Sequence, residues 1–372
     1  MTYEADFALK DDVLYLNHAA VSPWPQRTVE AVRAFAEQNG YQGSLSYPQW
    51  LETEQQLRQR FQQLLNAPSS DDIALVKNTS EALSFVAAGL SWRDGDNIVS
   101  SNQEFPSNRI VWESLSAQGV ELRQAELDEG ETPEDALFAL VDDRTRLIAI
   151  SSVQYASGLR MDLARIGRFC RERGILFCVD AIQSLGAVEF DVQACLADFV
   201  AADGHKWLMG PEGLGVFYCR EALREELKLT QFGWHMVEAV GDFDATAWQP
   251  AATARRFECG SPNMLAIHAL NASLSLLLEH GMASIQAQVL DNSRFLLERL
   301  AGAGMQLKTP LNAARHAGIV SFAHPHRDNQ ALFEGLLEKG VFCALRGGYI
   351  RFSPHYYTPR SLLEQAIGQV LA

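Results

Sequence analysis

Short strand-like runs recur through the middle of the chain, at Ile73 to Val76, Asn97 to Ser100, Val120 to Arg123, Leu147 to Ser151, Ile175 to Val179, Phe199 to Ala202 and Gly215 to Tyr218. Between several of them lie amphipathic segments, such as Ser80 to Leu90 and Leu163 to Arg173, whose apolar residues fall at helical spacing. This alternation predicts a doubly wound α/β domain. Two further helices precede it, at about Pro25 to Gln38 and Tyr47 to Leu65. Beyond Gly233-Trp234-His235 the stretch Gly241 to Ala254 is irregular and reads as a connector. The pattern then changes to helices at about Met264 to Glu279 and Met282 to Ala301, a strand at Gly318 to Phe322, a helix at Asn329 to Lys339, a strand at Gly348 to Phe352 and a terminal helix from about Pro359. That is an α+β order, so a second, smaller domain is expected from about residue 256.

Composition narrows the function classes. The 372 residues are 47% hydrophobic and 21% charged, enough for a large domain plus a small one. No apolar run is long enough to cross a bilayer, and the start Met1-Thr2-Tyr3-Glu4-Ala5-Asp6 is acidic where a signal peptide is basic, so a cytoplasmic protein is expected. A net charge of −15 argues against a nucleic-acid surface. The six cysteines, at 170, 178, 195, 219, 259 and 343, show no C-x-x-C spacing, which gives a zinc site no support and favours reduced thiols.

The candidate chemistry centres on Lys206, in Asp203-Gly204-His205-Lys206-Trp207 with Gly210-Pro211-Glu212-Gly213 just beyond. A lysine beside a histidine, followed by clustered glycines, suits one that holds an aldehyde cofactor as a Schiff base: pyridoxal 5'-phosphate. Such a lysine must be able to give a neutral amine, and it can then shuttle the proton at the substrate's Cα. The pyridine ring is an electron sink only while its nitrogen is protonated, which asks for a carboxylate. Asp180, at the C-terminal end of an apolar strand where open sheets place ligands, is the candidate. Taken alone, Asp180 equally suits the cap of a following helix. Asn78-Thr79-Ser80 lies between a strand and a helix, where free amides and the macrodipole favour a phosphate. Ordinary capping, with Asn78 as cap and Glu81 as reciprocal partner, explains the same residues.

Val179-Asp180-Ala181-Ile182-Gln183-Ser184, His205-Lys206-Trp207 and Gly210-Pro211 resemble the class V aminotransferase family, fold-type-I pyridoxal phosphate enzymes that include cysteine desulfurases, kynureninases and isopenicillin N epimerase-like proteins. Further matches run in order from Leu16-Asn17-His18-Ala19-Ala20 through Asn78-Thr79-Ser80-Glu81-Ala82 and Arg256-Phe257-Glu258-Cys259-Gly260-Ser261-Pro262-Asn263 to Ile350-Arg351-Phe352-Ser353-Pro354-His355. The resemblance implies an N-terminal segment over 1–24 packing on the small domain, a large mixed-sheet cofactor domain over 25–255 and a small C-terminal α+β domain over 256–372. It carries Thr79, Ser80 and His205 over as cofactor-phosphate residues, and Gln183 as the donor to the ring hydroxyl, with Gln154 or Tyr155 a weaker second. Phe105 takes the ring-stacking position where desulfurases usually have histidine, although composition alone makes it a core residue.

Arg351, on a short strand after Gly347-Gly348, can bind a substrate carboxylate through two parallel hydrogen bonds, with a surface salt bridge as the plain alternative. The resemblance supports the ligand role and adds the amides around Ala19 and Ala20. It also implies a homodimer with composite sites, in which Ser261 reaches the phosphate of the other subunit. Trp234 and His235 read either as lining the substrate entrance or as interface packing. Asp203 departs from the family's usual serine and, beside a phosphate, is expected to turn away or to hold a neighbouring donor.

The activity expected is that of a pyridoxal phosphate enzyme on a small amino acid, an aminotransferase or lyase, with Lys206, Asp180 and His205 at its centre. Cysteine desulfurase, selenocysteine lyase-like and epimerase chemistry remain alternatives, as does a cofactor-less binding protein on the same fold. A desulfurase needs a reactive thiol on a mobile loop ahead of the substrate arginine. Here the only cysteine in that region is Cys343, in an apolar run.

Overall fold

The computed structural model describes residues 6–10 and 12–372, so most of the acidic start, Met1 to Ala5, lies outside the described residues. Thirteen strands are described: β1 (Leu14–Tyr15), β2 (Ile73–Val76), β3 (Asn97–Ser101), β4 (Glu121–Ala125), β5 (Thr145–Ser151), β6 (Leu176–Asp180), β7 (Phe199–Asp203), β8 (Gly215–Cys219), β9 (Gln306–Leu307), β10 (Val320–Ala323), β11 (Val341–Phe342), β12 (Ala344–Arg346) and β13 (Tyr349–Phe352).

Seven of them form one mixed sheet in the order β2-β8-β7-β6-β5-β3-β4, and only β8 runs antiparallel to its neighbours. Leu147, Ile148, Ala149 and Ile150 of β5 are all fully buried, because helices cover both faces of the sheet and each face carries its own apolar core. With β8 reversed, β2, β3, β5, β6 and β7 all end on the same edge of the sheet. Asp180 closes β6, Asp203 closes β7 and Thr79 opens the helix after β2, so that edge collects the polar residues.

Strands β12, β13, β10 and β9 make a second, antiparallel sheet, packed with the helices Met282–Gly302, Asn329–Glu338 and Arg360–Leu371 around a third core. Leu16 belongs to that core, and β1 pairs in parallel with β11, with Leu14 opposite Val341. Residues 14–20 are therefore laid along the C-terminal sheet before they reach the edge of the large one. The stretch from 229 to 253 has neither helix nor strand, as its composition implies.

Room around Lys206 depends on glycine. A Cβ at Gly186, which holds φ 93°, would stand 2.5 Å from the Trp207 carbonyl oxygen, and one at Gly318 would meet the Trp207 indole at 2.3 Å. Trp207 is fully buried, so neither neighbour has space to retreat. The turn then closes through Met209 at φ 54°, held by Met209 N–H to the Lys206 carbonyl and Ser273 Oγ to the Met209 carbonyl.

Candidate active site

A cavity of about 250 Å³ opens at the strand-end edge, and its wall includes Ala19, Ala20, Asn78, Thr79, Ser80, Phe105, Asp180, Gln183, His205, Lys206 and Arg351. The residues expected to hold the cofactor and the substrate carboxylate are thus brought together, with the exception of Ser261. A larger hollow of about 790 Å³, formed by residues 232–249, lies elsewhere and has mostly apolar walls.

Asp180 is 3% exposed, and its Oδ1 accepts the Ile182 N–H at 3.0 Å. No helix follows β6, which removes the helix-cap explanation. Burial raises the Asp180 carboxyl to about 7, against the Ile182 hydrogen bond and the Lys206 charge, which favour its ionised form. Burial also lowers the Lys206 amine from 10.5 to about 8, with Asp180 opposing and Arg351 adding to the shift. The lysine is therefore close to delivering the neutral amine that capture of an aldehyde requires.

Phe105 is 41% exposed, unlike a core phenylalanine, and the Lys206 Nζ stands 5.4 Å from its ring centroid. Its placement comes from Glu104, whose buried carboxylate accepts from Ser101 Oγ, Asn108 Nδ2, Ser151 N and Oγ, and Gln154 Nε2. Gln154 is thereby committed to Glu104 and does not reach the cavity, whereas Tyr155 does, with its ring edge-on to Phe105 at 5.2 Å. Gln183 is held at both ends: Trp207 Nε1 donates to its Oε1 at 2.9 Å and its Nε2 donates to the Ala19 carbonyl at 3.0 Å. Its remaining N–H is free to face the cavity.

At the phosphate end, Asn78 Oδ1 accepts the Glu81 N–H at 2.9 Å, while the Glu81 carboxylate accepts from Lys77 N rather than from Asn78 N. The cap leaves the first-turn amides of Thr79 and Ser80 without carbonyl partners in their own helix. Thr79 Oγ1 and His205 Nδ1 are buried without a hydrogen bond, and Ser80 Oγ donates to Ser107 Oγ at 2.9 Å. Asp203 Oδ1 accepts the Gly204 N–H at 2.8 Å, so it does hold a neighbouring donor, and it stands 3.2 Å from His205 Nδ1.

Arg351 is 1% exposed; its Nη1 donates to the Tyr155 carbonyl at 2.8 Å, and its Nε has no partner. A surface salt bridge is ruled out by this burial. Burial and the nearby Arg346 lower the guanidinium to about 9. Such a cation calls for an anionic ligand. The Ala19 and Ala20 amides are not available as its helpers, because Ala19 N donates to Ser353 Oγ and Ala20 N to the Asn17 carbonyl. These two residues shape the wall instead.

Besides Gln154, three positions stand outside the cavity. Ser261 is exposed and accepts from Trp234 Nε1 at 3.3 Å. His235 is buried 3.8 Å from the Glu258 carboxylate, beside the Arg58–Glu54 pair, and so does not line this chain's substrate entrance. Trp234 belongs to the apolar hollow. Conversely, Ser107 and Arg346 line the cavity, and neither was singled out for it by sequence.

The class-V aminotransferase family model matches residues 14–353. The chain belongs to that family. It is 33% identical to a probable cysteine desulfurase of Methanothermobacter thermautotrophicus over 98% of this chain and 96% of that protein, and 30% identical to one of Pyrococcus abyssi over 98% and 94%. Among solved structures, the apo cysteine desulfurase of Thermococcus onnurineus NA1 superposes with a TM-score of 0.89 at 26% identity, covering 99% of this chain and 96% of that one. The chain is thus a class V enzyme of fold type I that depends on pyridoxal phosphate. The unpartnered Thr79 Oγ1, the exposed Phe105 face and the buried Asp180–Lys206 pair fit that cofactor.

Proposed function

We propose that this class V enzyme is a lyase that releases sulfur from a cysteine-class α-amino acid without passing it to a thiol of its own. The relatives named cysteine desulfurase supply the substrate class. The reading rests on the cavity wall, which contains no cysteine. Cys343, the expected alternative, is 5% exposed between β11 and β12, and burial pushes its thiol up to about 12. A thiol so placed is neither ionised nor free to swing.

When bound, pyridoxal phosphate supplies an electron sink that stabilises the charge left at the substrate's Cα. Thr79, Ser80 and His205 would hold its phosphate, Phe105 one face of its ring, Gln183 its ring oxygen and Asp180 its ring nitrogen. Lys206 Nζ would hold its aldehyde carbon and move the Cα proton of the substrate. Arg351 would fix the α-carboxylate through two parallel hydrogen bonds. Phe105 carries no proton, so Lys206 is the titratable group best placed to serve the departing sulfur.

With L-cysteine and water the expected products are pyruvate, ammonia and sulfide in equal amounts, measured together with alanine. Alanine in place of pyruvate, lost in Cys343→Ser while the cofactor is retained, would establish a desulfurase, the second reading that the relatives favour. The amino acid matching an added keto acid, formed together with 3-mercaptopyruvate and without sulfide, would make it an aminotransferase.

The same reading includes a cytoplasmic homodimer, with a domain division near residue 255 and an N-terminal segment over 1–24 on the small domain, of which residues 1–5 and 11 lie outside the described residues. Exposed Phe232, Phe243 and Trp248 and the position of Ser261 outside its own chain's cavity support pairing. Mixing Lys206→Ala with Ser261→Ala subunits should restore activity above either parent, because one of the two composite sites in each mixed dimer is then intact. No recovery would mean that the sites are not shared.

A further inference from the structure

The hairpin β12–β13 turns through Gly347 and Gly348, at φ 57° and 80°, the left-handed pair that tight hairpins use. Its register sets Arg346 opposite Tyr349 and Ala344 opposite Arg351. Opposed residues share a face, and so do residues two apart on one strand, which puts Arg346 and Arg351 on the same face as diagonal neighbours. Residues so related are on the order of 7–8 Å apart, their Cβ atoms somewhat closer, within reach of long side chains. Both line the cavity of Lys206, and the Arg346 charge is felt by Lys206 and by Arg351.

Neither guanidinium is paired with a carboxylate among the described residues. Arg346 Nη1 donates only to its neighbour's carbonyl, that of Leu345, at 2.9 Å. The cavity's acids are occupied or remote in their bonding: Asp180 accepts from Ile182, Asp203 from Gly204, and Glu212 is exposed with no ion pair to either arginine. One α-carboxylate satisfies the planar fork of Arg351. A second cation beside it, half-buried and without an anion, is left unpaired by a substrate with a single acid group.

We infer that Arg346 heads a second anion subsite and that the substrate is an α-amino acid carrying a further carboxylate on its side chain. This rests on the lyase reading and deepens it: in a sulfur amino acid, the second acid lies beyond the sulfur, in the part that leaves.

Two comparisons on the cofactor-loaded protein test it. Calorimetry should show glutarate binding at least roughly tenfold tighter than pentanoate, which has the same chain length and one acid fewer. Cleavage of S-carboxymethylcysteine should exceed that of S-propylcysteine in kcat/KM by a similar factor. Arg346→Gln should erase both preferences and leave the monoacids unchanged, Arg346→Lys should keep part of them, and Arg351→Gln should weaken all four ligands. Equal binding of glutarate and pentanoate by the wild type overturns the inference without any variant. So does an Arg346→Gln protein that loses mono- and diacids alike, because Arg346 would then share the one α-carboxylate. If neither L-cysteine nor either thioether is cleaved but glutarate remains preferred through Arg346, the subsite stands and the lyase reading fails.

Discussion

Lys206→Ala is expected to fold, to bind pyridoxal phosphate only reversibly, and to lose turnover by about 10²–10⁴-fold from the missing proton transfer alone. Borohydride treatment followed by denaturation should leave cofactor on the wild-type chain and none on the variant; labelling of another lysine would end the assignment. The pH dependence of cofactor capture follows from the same burial. An amine lowered from 10.5 to about 8 is mostly neutral above pH 8, so the capture rate of the apoprotein should rise with pH up to about 8 and level off there. A rate still climbing toward 10 would show an ordinary, solvated lysine.

Much of this site was legible because its parts are local in the chain. Asp180 ends a run of apolar residues, Lys206 follows the next such run, and Thr79 and Ser80 open a helix directly after a strand, so strand ends and helix starts could be read from pattern alone. Strands β2, β3 and β5 to β8 were visible for a physical reason: sequestered on both faces, they need apolar runs, which polar turns then delimit, whereas the edge strand β4 is polar and half-exposed. The two-residue strands β1, β9 and β11 are too short to show any period, and the helices Ser107–Glu113 and Pro133–Phe138 span barely two turns.

What escaped was set by contacts between distant segments. His235 reads as a loop histidine and is buried beside Glu258, while Gln154 reads as a possible cofactor ligand and is held by Glu104 from another strand end. The Ala19 and Ala20 amides fail as donors because Ser353 and Asn17 reach them first. Arg346 did carry a signal. Two glycines between Arg346 and Tyr349 imply a two-residue hairpin turn, and that turn alone puts residues 346 and 351 on one face.

Asp180→Asn should keep the cofactor attached to Lys206 and lower turnover by about 10²–10³-fold, the loss expected when one preorganised electrostatic partner of the developing charge is removed. The asparagine preserves shape and can still accept the Ile182 N–H, so a fall in activity with intact absorbance would isolate the charge. Near-normal turnover would remove Asp180 from its role. Stability of the apoprotein supplies a second, independent reading. Burial raises the Asp180 carboxyl from 3.8 in the free residue to about 7, so between those values the folded chain holds a proton that the unfolded chain has released. Fewer protons bound in the unfolded state means that this residue's contribution is fully present below pH 3.8 and is lost as pH rises through 7. Denaturant midpoints of the wild-type apoprotein should therefore decline relative to those of Asp180→Asn as pH is raised from 5 to 8. Parallel midpoints across that window would show that Asp180 is already ionised at pH 5, stabilised by Lys206 more strongly than burial opposes it.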